Sequence, residues 1–161
     1  MTVKDVEKDP AGLRMVITAE LDAPAERVWQ LWADPRQLER WWGPPEFPAT
    51  VVDHELVAGG SVTYFMTGPD GGKHRGWWRI LAVDPPRSLE LEDGFADDDG
   101  VPVPDLPTTT MRVDISPHDG VTRMVMTSTF ASPEAMEQTL AMGAEDGIRA
   151  ALAQIDALLA P

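Results

Sequence analysis

The sequence contains no cysteine, and this absence excludes several kinds of site. A chain of 161 residues without cysteine cannot form a disulfide, a thiolate metal site or a cysteine nucleophile, and it is compatible with a reducing compartment. Long apolar runs are also missing, since no stretch approaches the roughly 20 apolar residues of a membrane span. The polar residues 1–12 lack the apolar core of a signal peptide. We therefore expect a soluble, cytoplasmic protein without a membrane partner.

Basic residues are scarce. Lysine and arginine number 13 against 27 aspartates and glutamates, which gives a formal net charge of −14. Such a charge repels phosphate backbones, and no basic stripe offsets it, so we expect no nucleic-acid partner. The phosphate-loop, dinucleotide and Gly-x-Ser-x-Gly motifs are absent. His54, His74 and His118 lie too far apart for a metal-binding motif, and we predict neither a metal nor a cofactor.

Apolar and polar residues alternate along several segments, which predicts antiparallel β-strands. These segments are 13–22, 48–57, 61–67, 74–84, 88–93, 108–116 and 122–130. Between the first two, apolar residues at helical spacing predict two short helices, the first ending near Asp34 and the second beginning at Pro35. We expect residues 1–12 to form a flexible leader and residues 94–107 an acidic loop.

The C-terminal segment has the pattern of one amphipathic helix of about seven turns. Ser132 is a candidate N-cap, and Pro133 suits the first helical position. Because strands and helices are segregated along the chain, we predict a single α+β domain over residues 1–161. Its curved antiparallel sheet would wrap around the long helix, and the two short helices would close one end of an apolar cavity.

A set of short motifs in a fixed order resembles the START-like superfamily of helix-grip proteins, also called SRPBCC. The residues that carry the resemblance include Ala23–Trp29, Trp41–Pro44, Gly59–Gly60 and Pro85–Leu89. Within the superfamily, the chain is similar to the branch named for activator of heat-shock protein 90 ATPase. The resemblance implies the helix-grip fold. It implies no single function, because the superfamily includes lipid carriers, polyketide cyclases, hormone receptors and co-chaperones.

Six tryptophans and eight methionines supply candidate pocket residues. Indole rings offer broad contact and one hydrogen-bond donor, and methionine adapts its shape to a ligand, although the same side chains also simply fill cores. The candidate ligand-binding residues are Trp32, Trp41, Trp42, Phe65, Trp78, Met111, Met126, Met136, Leu140, Gly143 and Gly147. They predict non-catalytic binding of a small apolar or aromatic molecule in the cavity.

Two other functions are compatible with the sequence. A cyclase or hydrolase acting on a polyketide-like substrate would need an acid or base in the cavity, for which His74 and Tyr64 are the candidates. Arg79 or Arg112 could then stabilise an enolate. A chaperone-interaction module would instead need an exposed apolar patch. A homodimer is compatible with each function.

The acidic residues around the predicted loop could suggest a calcium site. Asp97, Asp98 and Asp99 are consecutive, and Glu92 and Asp93 precede them. Their spacing does not match the alternating aspartates of an EF-hand loop. We therefore interpret the segment as a solvated loop, which could act as a lid over the cavity.

Overall fold

A computed structural model describes residues 2–160, and one curved, eight-stranded antiparallel sheet forms most of the molecule. Neighbouring strands follow the order β1-β2-β8-β7-β6-β5-β4-β3. The strands are β1 (Thr2–Asp9), β2 (Arg14–Leu21), β3 (Ala49–His54), β4 (Ser61–Thr67), β5 (Lys73–Asp84), β6 (Ser88–Ala96), β7 (Thr109–His118) and β8 (Val121–Phe130). The predicted α+β helix-grip fold is confirmed.

Two short helices connect β2 to β3, as the sequence predicts. Helix α1 (Ala25–Ala33) buries one face, and α2 (Pro35–Leu38) follows it directly. Asp34 separates them, and its carboxylate accepts a hydrogen bond of 2.9 Å from the backbone N–H of Arg36. Helix α2 ends earlier than its apolar pattern suggests, and residues 39–48 form the loop that leads to β3.

The C-terminal helical region is interrupted twice, so the prediction of one continuous helix is wrong. It consists of α3 (Pro133–Ala141), α4 (Ala144–Leu152) and α5 (Ile155–Leu159). Gly143 has a φ of +83°, which L-residues rarely adopt, and it therefore interrupts the helix between α3 and α4. Ser132 caps α3 as predicted, since its Oγ accepts a hydrogen bond from the N–H of Ala135 at 3.0 Å.

The leader predicted for residues 1–12 is wrong for residues 2–9, while Met1 lies outside the described residues. Residues 2–9 form β1, which pairs with β2, and Val3 and Val6 pack against the core. The acidic loop also begins later than expected, because β6 continues to Ala96. The Asp97 carboxylate then folds the chain into a tight turn by accepting backbone hydrogen bonds at 2.9 Å.

The core lies between the inner face of the sheet and the helices. Strand β2 shows the alternation clearly, since Met15, Ile17, Ala19 and Leu21 are buried and their neighbours are more exposed. Buried residues of α1, α3 and α4 belong to the same apolar cluster as these strand residues. None of the helices in the described part of the chain has the length and hydropathy needed to cross a membrane.

Candidate ligand-binding cavity

An apolar cavity of about 270 Å³ lies between the inner face of the sheet and α4. Strands β4, β6 and β7 form its floor, the end of α3 and most of α4 form its roof, and the loop after α2 closes one side. Its lining residues are Trp41, Trp42, Pro44, Phe47, Tyr64, Met66, Asp93, Gly94, Phe95, Pro107, Thr109, Met111, Thr139, Ala144, Gly147, Ile148 and Ala151.

Tryptophans packed edge to face build the side wall of the cavity. The rings of Trp41 and Trp42 lie 5.6 Å apart and border the cavity. Behind them, Trp32 lies 4.8 Å from Trp41, and Trp78 lies 4.8 Å from Trp42. Perpendicular ring packing at these distances is favourable and leaves each ring little freedom. The wall is therefore rigid, with Trp32 and Trp78 completely buried.

A side chain from the C-terminal helical region fixes the loop that carries this wall. The Gln154 amide donates hydrogen bonds to the backbone oxygens of Gly43 at 2.6 Å and Trp41 at 3.3 Å. A Cβ on Gly43 would lie 2.1 Å from the backbone oxygen of Phe47, so only glycine fits this turn. Hydrogen bonds from the Gln154 side chain to backbone carbonyls thus join the loop of the aromatic wall to the C-terminal helical region.

Tyr64 and Asp93 form the only titratable pair among the described residues that line the cavity. The Tyr64 hydroxyl on β4 donates a hydrogen bond of 3.1 Å to Asp93 Oδ1 on β6. Strand β5 lies between these two strands, and its Gly76 pairs with Tyr64. A Cβ on Gly76 would lie 2.4 Å from the Tyr64 ring and hydroxyl. Glycine at this position therefore lets the tyrosine cross β5 and reach Asp93.

The environment of the pair shifts both pKa values upwards. Burial raises the pKa of Asp93 from an ordinary 3.8 to about 7, although hydrogen bonding from Tyr64, the nearby Trp78 indole and the backbone of Gly94 opposes the shift. Burial and the charge of Asp93 raise the pKa of Tyr64 well above its usual value of 10.0. At neutral pH, Tyr64 is therefore protonated, and Asp93 exchanges between its two forms.

Three buried polar atoms around the cavity lack a hydrogen-bond partner among the described residues. They are the indole nitrogens of Trp42 and Trp78 and the hydroxyl of Thr139. Trp78 lies close enough to Asp93 to lower its pKa, but its N–H does not meet the geometry of a hydrogen bond. Trp42, Tyr64, Trp78 and Asp93 lie together, and we call them the polar cluster; ring distances among Trp42, Tyr64 and Trp78 are 4.8–6.1 Å.

The structure places part of the predicted ligand-binding set around this cavity. Trp41, Trp42, Met111 and Gly147 border it, as does Tyr64, which the sequence suggests as a catalytic residue. Trp32, Trp78 and Met126 are buried beside it in the core. Met136 and Leu140 border a separate groove next to Pro10 and Pro133. Gly143 forms the break between α3 and α4.

Phe65 was expected in the cavity, and the structure contradicts this expectation. Tyr64 and Met66 face the cavity, so Phe65 between them points to the opposite face of the sheet. There its ring lies 4.7 Å from Lys73 Nζ and 5.1 Å from the Arg75 guanidinium carbon. These cation–π contacts explain how a large aromatic side chain is accommodated on the outer face.

The other catalytic candidates also lie outside the cavity. His74 is exposed near the start of β5, where its ring packs 5.6 Å from that of Phe47. Arg79 is exposed and pairs with Glu92 at 3.0 Å. Arg112 is half exposed and pairs with Asp114 at 3.1 Å. None of these three residues lines the cavity, so the expectation that an arginine stabilises an enolate there is wrong.

Asp93 is the residue that our interpretation of the sequence misses. From the sequence, we place it at the end of the predicted strand 88–93 and consider it only with the acidic residues of the following loop, whereas it borders the cavity. Leu89 and Leu91 are buried on the inner face, and Asp93 continues the same alternation. The position of Asp93 two residues after Leu91 was therefore the sequence signal that it faces inwards.

Comparison with known proteins agrees with this architecture. Residues 22–160 match the family described as activator of Hsp90 ATPase homolog 1-like protein. The chain belongs to this family. The crystal structure of protein Ms6760 from Mycobacterium smegmatis is 55% identical, with a TM-score of 0.92 and coverage of 99% of this chain and 98% of that one. The solution structure of a protein from Arthrobacter aurescens is 51% identical, with a TM-score of 0.94 and coverage of 98% and 92%.

Structural similarity extends to a more distant chain. A solution structure from Staphylococcus epidermidis is 28% identical, with a TM-score of 0.83 and coverage of 99% of this chain and 93% of that one. No curated protein matches the sequence.

Proposed function

We propose that this protein binds a small hydrophobic or aromatic molecule, without catalysis, in the cavity between the sheet and α4. The observation that carries the proposal is the cavity itself, which measures about 270 Å³ and is lined mainly by aromatic and aliphatic side chains. An apolar cavity of about 150 Å³ holds benzene. The present cavity therefore suits a molecule of about two fused rings, and burial of such a surface drives binding.

Binding of an apolar probe should be measured by tryptophan fluorescence, because Trp41 and Trp42 border the cavity. We expect 2-methylnaphthalene to change the emission saturably. Gly147 lines the cavity, and a Cβ placed on it meets no atom within 4 Å. The variant Gly147→Phe should fill the space and weaken binding by about tenfold or more.

The matched control is Gly147→Ala, which adds one methyl group at the same position and leaves most of the volume open. It should bind the probe almost as well as the unmodified protein. Equal binding by Gly147→Phe would place the probe elsewhere, and the absence of any saturable change would contradict the proposed function.

A second candidate function is acid–base catalysis in the same cavity, and one observation favours it. Asp93 borders the cavity with a pKa of about 7, which suits a group that exchanges protons at neutral pH. Hydrolysis of 2-naphthyl acetate tests this function. Catalysis by Asp93 predicts a rate that changes near pH 7 and falls to the uncatalysed level in Asp93→Leu. A rate that never exceeds that of buffer contradicts it.

A further inference from the structure

We infer that the ligand carries one neutral hydroxyl group, which donates a hydrogen bond to Asp93 and accepts one from the indole N–H of Trp42. The inference rests on the proposed function and specifies the chemistry of the molecule that the cavity holds. It concerns the part of the lining that Trp42, Tyr64 and Asp93 of the polar cluster form.

The first step concerns Trp42, whose indole nitrogen is buried without a hydrogen-bond partner among the described residues. An indole N–H can only donate, so it needs an acceptor. Leaving such a donor unpaired in a buried site is unfavourable, and native structures rarely do so. Trp42 lines the cavity, and its indole lies close enough to the Tyr64 hydroxyl to oppose the rise in the pKa of Tyr64, but its N–H does not meet the geometry of a hydrogen bond. A ligand oxygen that enters beside Trp42 would give this N–H the acceptor it lacks.

The second step concerns Asp93. Its Oδ1 atom accepts a hydrogen bond of 3.1 Å from Tyr64, and the carboxylate has capacity for further donors. The cavity lining within residues 2–160 contains no lysine, arginine or histidine that could supply one. A ligand that donates a hydrogen bond to this carboxylate would therefore compensate for part of the cost of its burial.

The two requirements together favour a neutral group that both donates and accepts hydrogen bonds, and the smallest such group is a hydroxyl. An ammonium group donates only and leaves the Trp42 N–H unpaired, whereas a ketone accepts only and cannot pair with the ionised form of Asp93. A carboxylate on the ligand would face Asp93 without a cation in the described lining to offset the repulsion. A hydroxyl both donates and accepts, as the pair demands. The hydroxyl of Thr139, which also borders the cavity, has no partner among the described residues. It can donate or accept a hydrogen bond, so it does not favour one ligand group over another.

Isothermal titration calorimetry with three probes on one ring system tests the inference: 2-naphthol, 2-methylnaphthalene and 2-naphthoate. The hydroxyl and the methyl group are similar in size, so their comparison isolates the hydrogen bonds. We expect 2-naphthol to bind about tenfold or more tightly than 2-methylnaphthalene, because hydrogen bonds to a charged group are strong. The 2-naphthoate anion should bind more weakly than 2-naphthol by a similar factor.

Two variants connect this preference to the residues. Asp93→Leu removes the acceptor, and Trp42→Phe removes the donor while keeping an aromatic wall. Each should reduce the preference for 2-naphthol over 2-methylnaphthalene to about threefold or less. The preference is compared as a ratio within each variant, because both residues line the cavity and their replacement also changes the affinity for 2-methylnaphthalene. The control is Asp98→Leu, the same substitution at an exposed position. Should Asp93→Leu fail to fold, Trp42→Phe carries the test.

The outcomes separate the inference from the proposed function. If 2-methylnaphthalene binds in the cavity as tightly as 2-naphthol, the cavity function stands and the hydroxyl inference is overturned. Tightest binding of 2-naphthoate, or an unchanged preference in Asp93→Leu and Trp42→Phe, also overturns it. If no probe binds, the proposed function and the inference both fail.

Discussion

Replacement of Asp93 by asparagine should change the stability of the protein in a pH-dependent way. The free energy of unfolding of the variant, relative to that of the unmodified protein, should be higher at neutral and alkaline pH than at acidic pH. The substitution preserves the shape of the side chain and removes its ionisation. Asp93 lies on the inner face of β6, where burial raises its pKa from 3.8 to about 7. Ionisation of this carboxyl group is therefore easier in the unfolded chain than in the folded protein.

The sign and size follow from proton linkage. Between about pH 4 and pH 7, the folded protein holds a proton on Asp93 that the unfolded chain has released, so rising pH favours unfolding. The contribution of Asp93 is most favourable below about pH 4 and is progressively lost up to about pH 7. A shift of about three pKa units corresponds to a total of about 4 kcal/mol. The asparagine variant lacks this pH-dependent contribution to the free energy of unfolding.

Urea unfolding monitored by circular dichroism should be measured from about pH 4 to pH 9 on both proteins. The stability difference between variant and unmodified protein should increase by roughly 1.4 kcal/mol per pH unit up to about pH 7 and then remain constant. Asp98→Asn, at an exposed position, serves as the control and should show no such slope. A difference that is independent of pH would refute the reasoning, because Asp93 would then titrate similarly in both states.

Three glycines yield further predictions, each measured by urea unfolding. Gly143→Ala should lower the free energy of unfolding by about 1–2 kcal/mol, because alanine is strained at the φ of +83° that Gly143 adopts. Gly147→Ala should raise the free energy of unfolding by up to about 1 kcal/mol, because alanine has a higher helix propensity than glycine. Changes of the same sign would contradict the helix break at Gly143. Gly76→Ala should cost about 1–3 kcal/mol, since the new methyl group overlaps the Tyr64 ring, and an unchanged stability would contradict that close packing.

Much of the sheet could be predicted from the sequence because burial on one face imposes a period of two. Strand β4 was predicted with the same limits that the structure shows. The same strand shows where the rule fails, since Tyr64 and Phe65 are both aromatic and alternation alone cannot decide which one faces inwards. The decision depends on Gly76, which admits Tyr64, and on Lys73 and Arg75, which accompany Phe65.

The C-terminal helical region and the cavity show two other limits of prediction from the sequence. Apolar spacing continues through Gly143, but a pattern of side chains does not report the backbone torsion that breaks the helix there. The tryptophan wall was predictable because Trp41 and Trp42 follow an apolar helical pattern. The alternation of Leu89, Leu91 and Asp93 indicates that Asp93 faces inwards, but its pairing with Tyr64 joins strands that are not neighbours, and no sequence pattern reports such a contact.

Strand β1 has a consequence for the behaviour of the protein in concentrated solution. It forms one edge of the sheet, and its Lys4, Asp5, Glu7, Lys8 and Asp9 side chains are exposed. An edge strand dense in charge discourages pairing with strands of other molecules. The next strand, β2, has a buried apolar face, and β1 pairs with the backbone donors and acceptors along its edge. The segment that resembles a frayed leader in the sequence therefore protects the sheet against edge-to-edge aggregation.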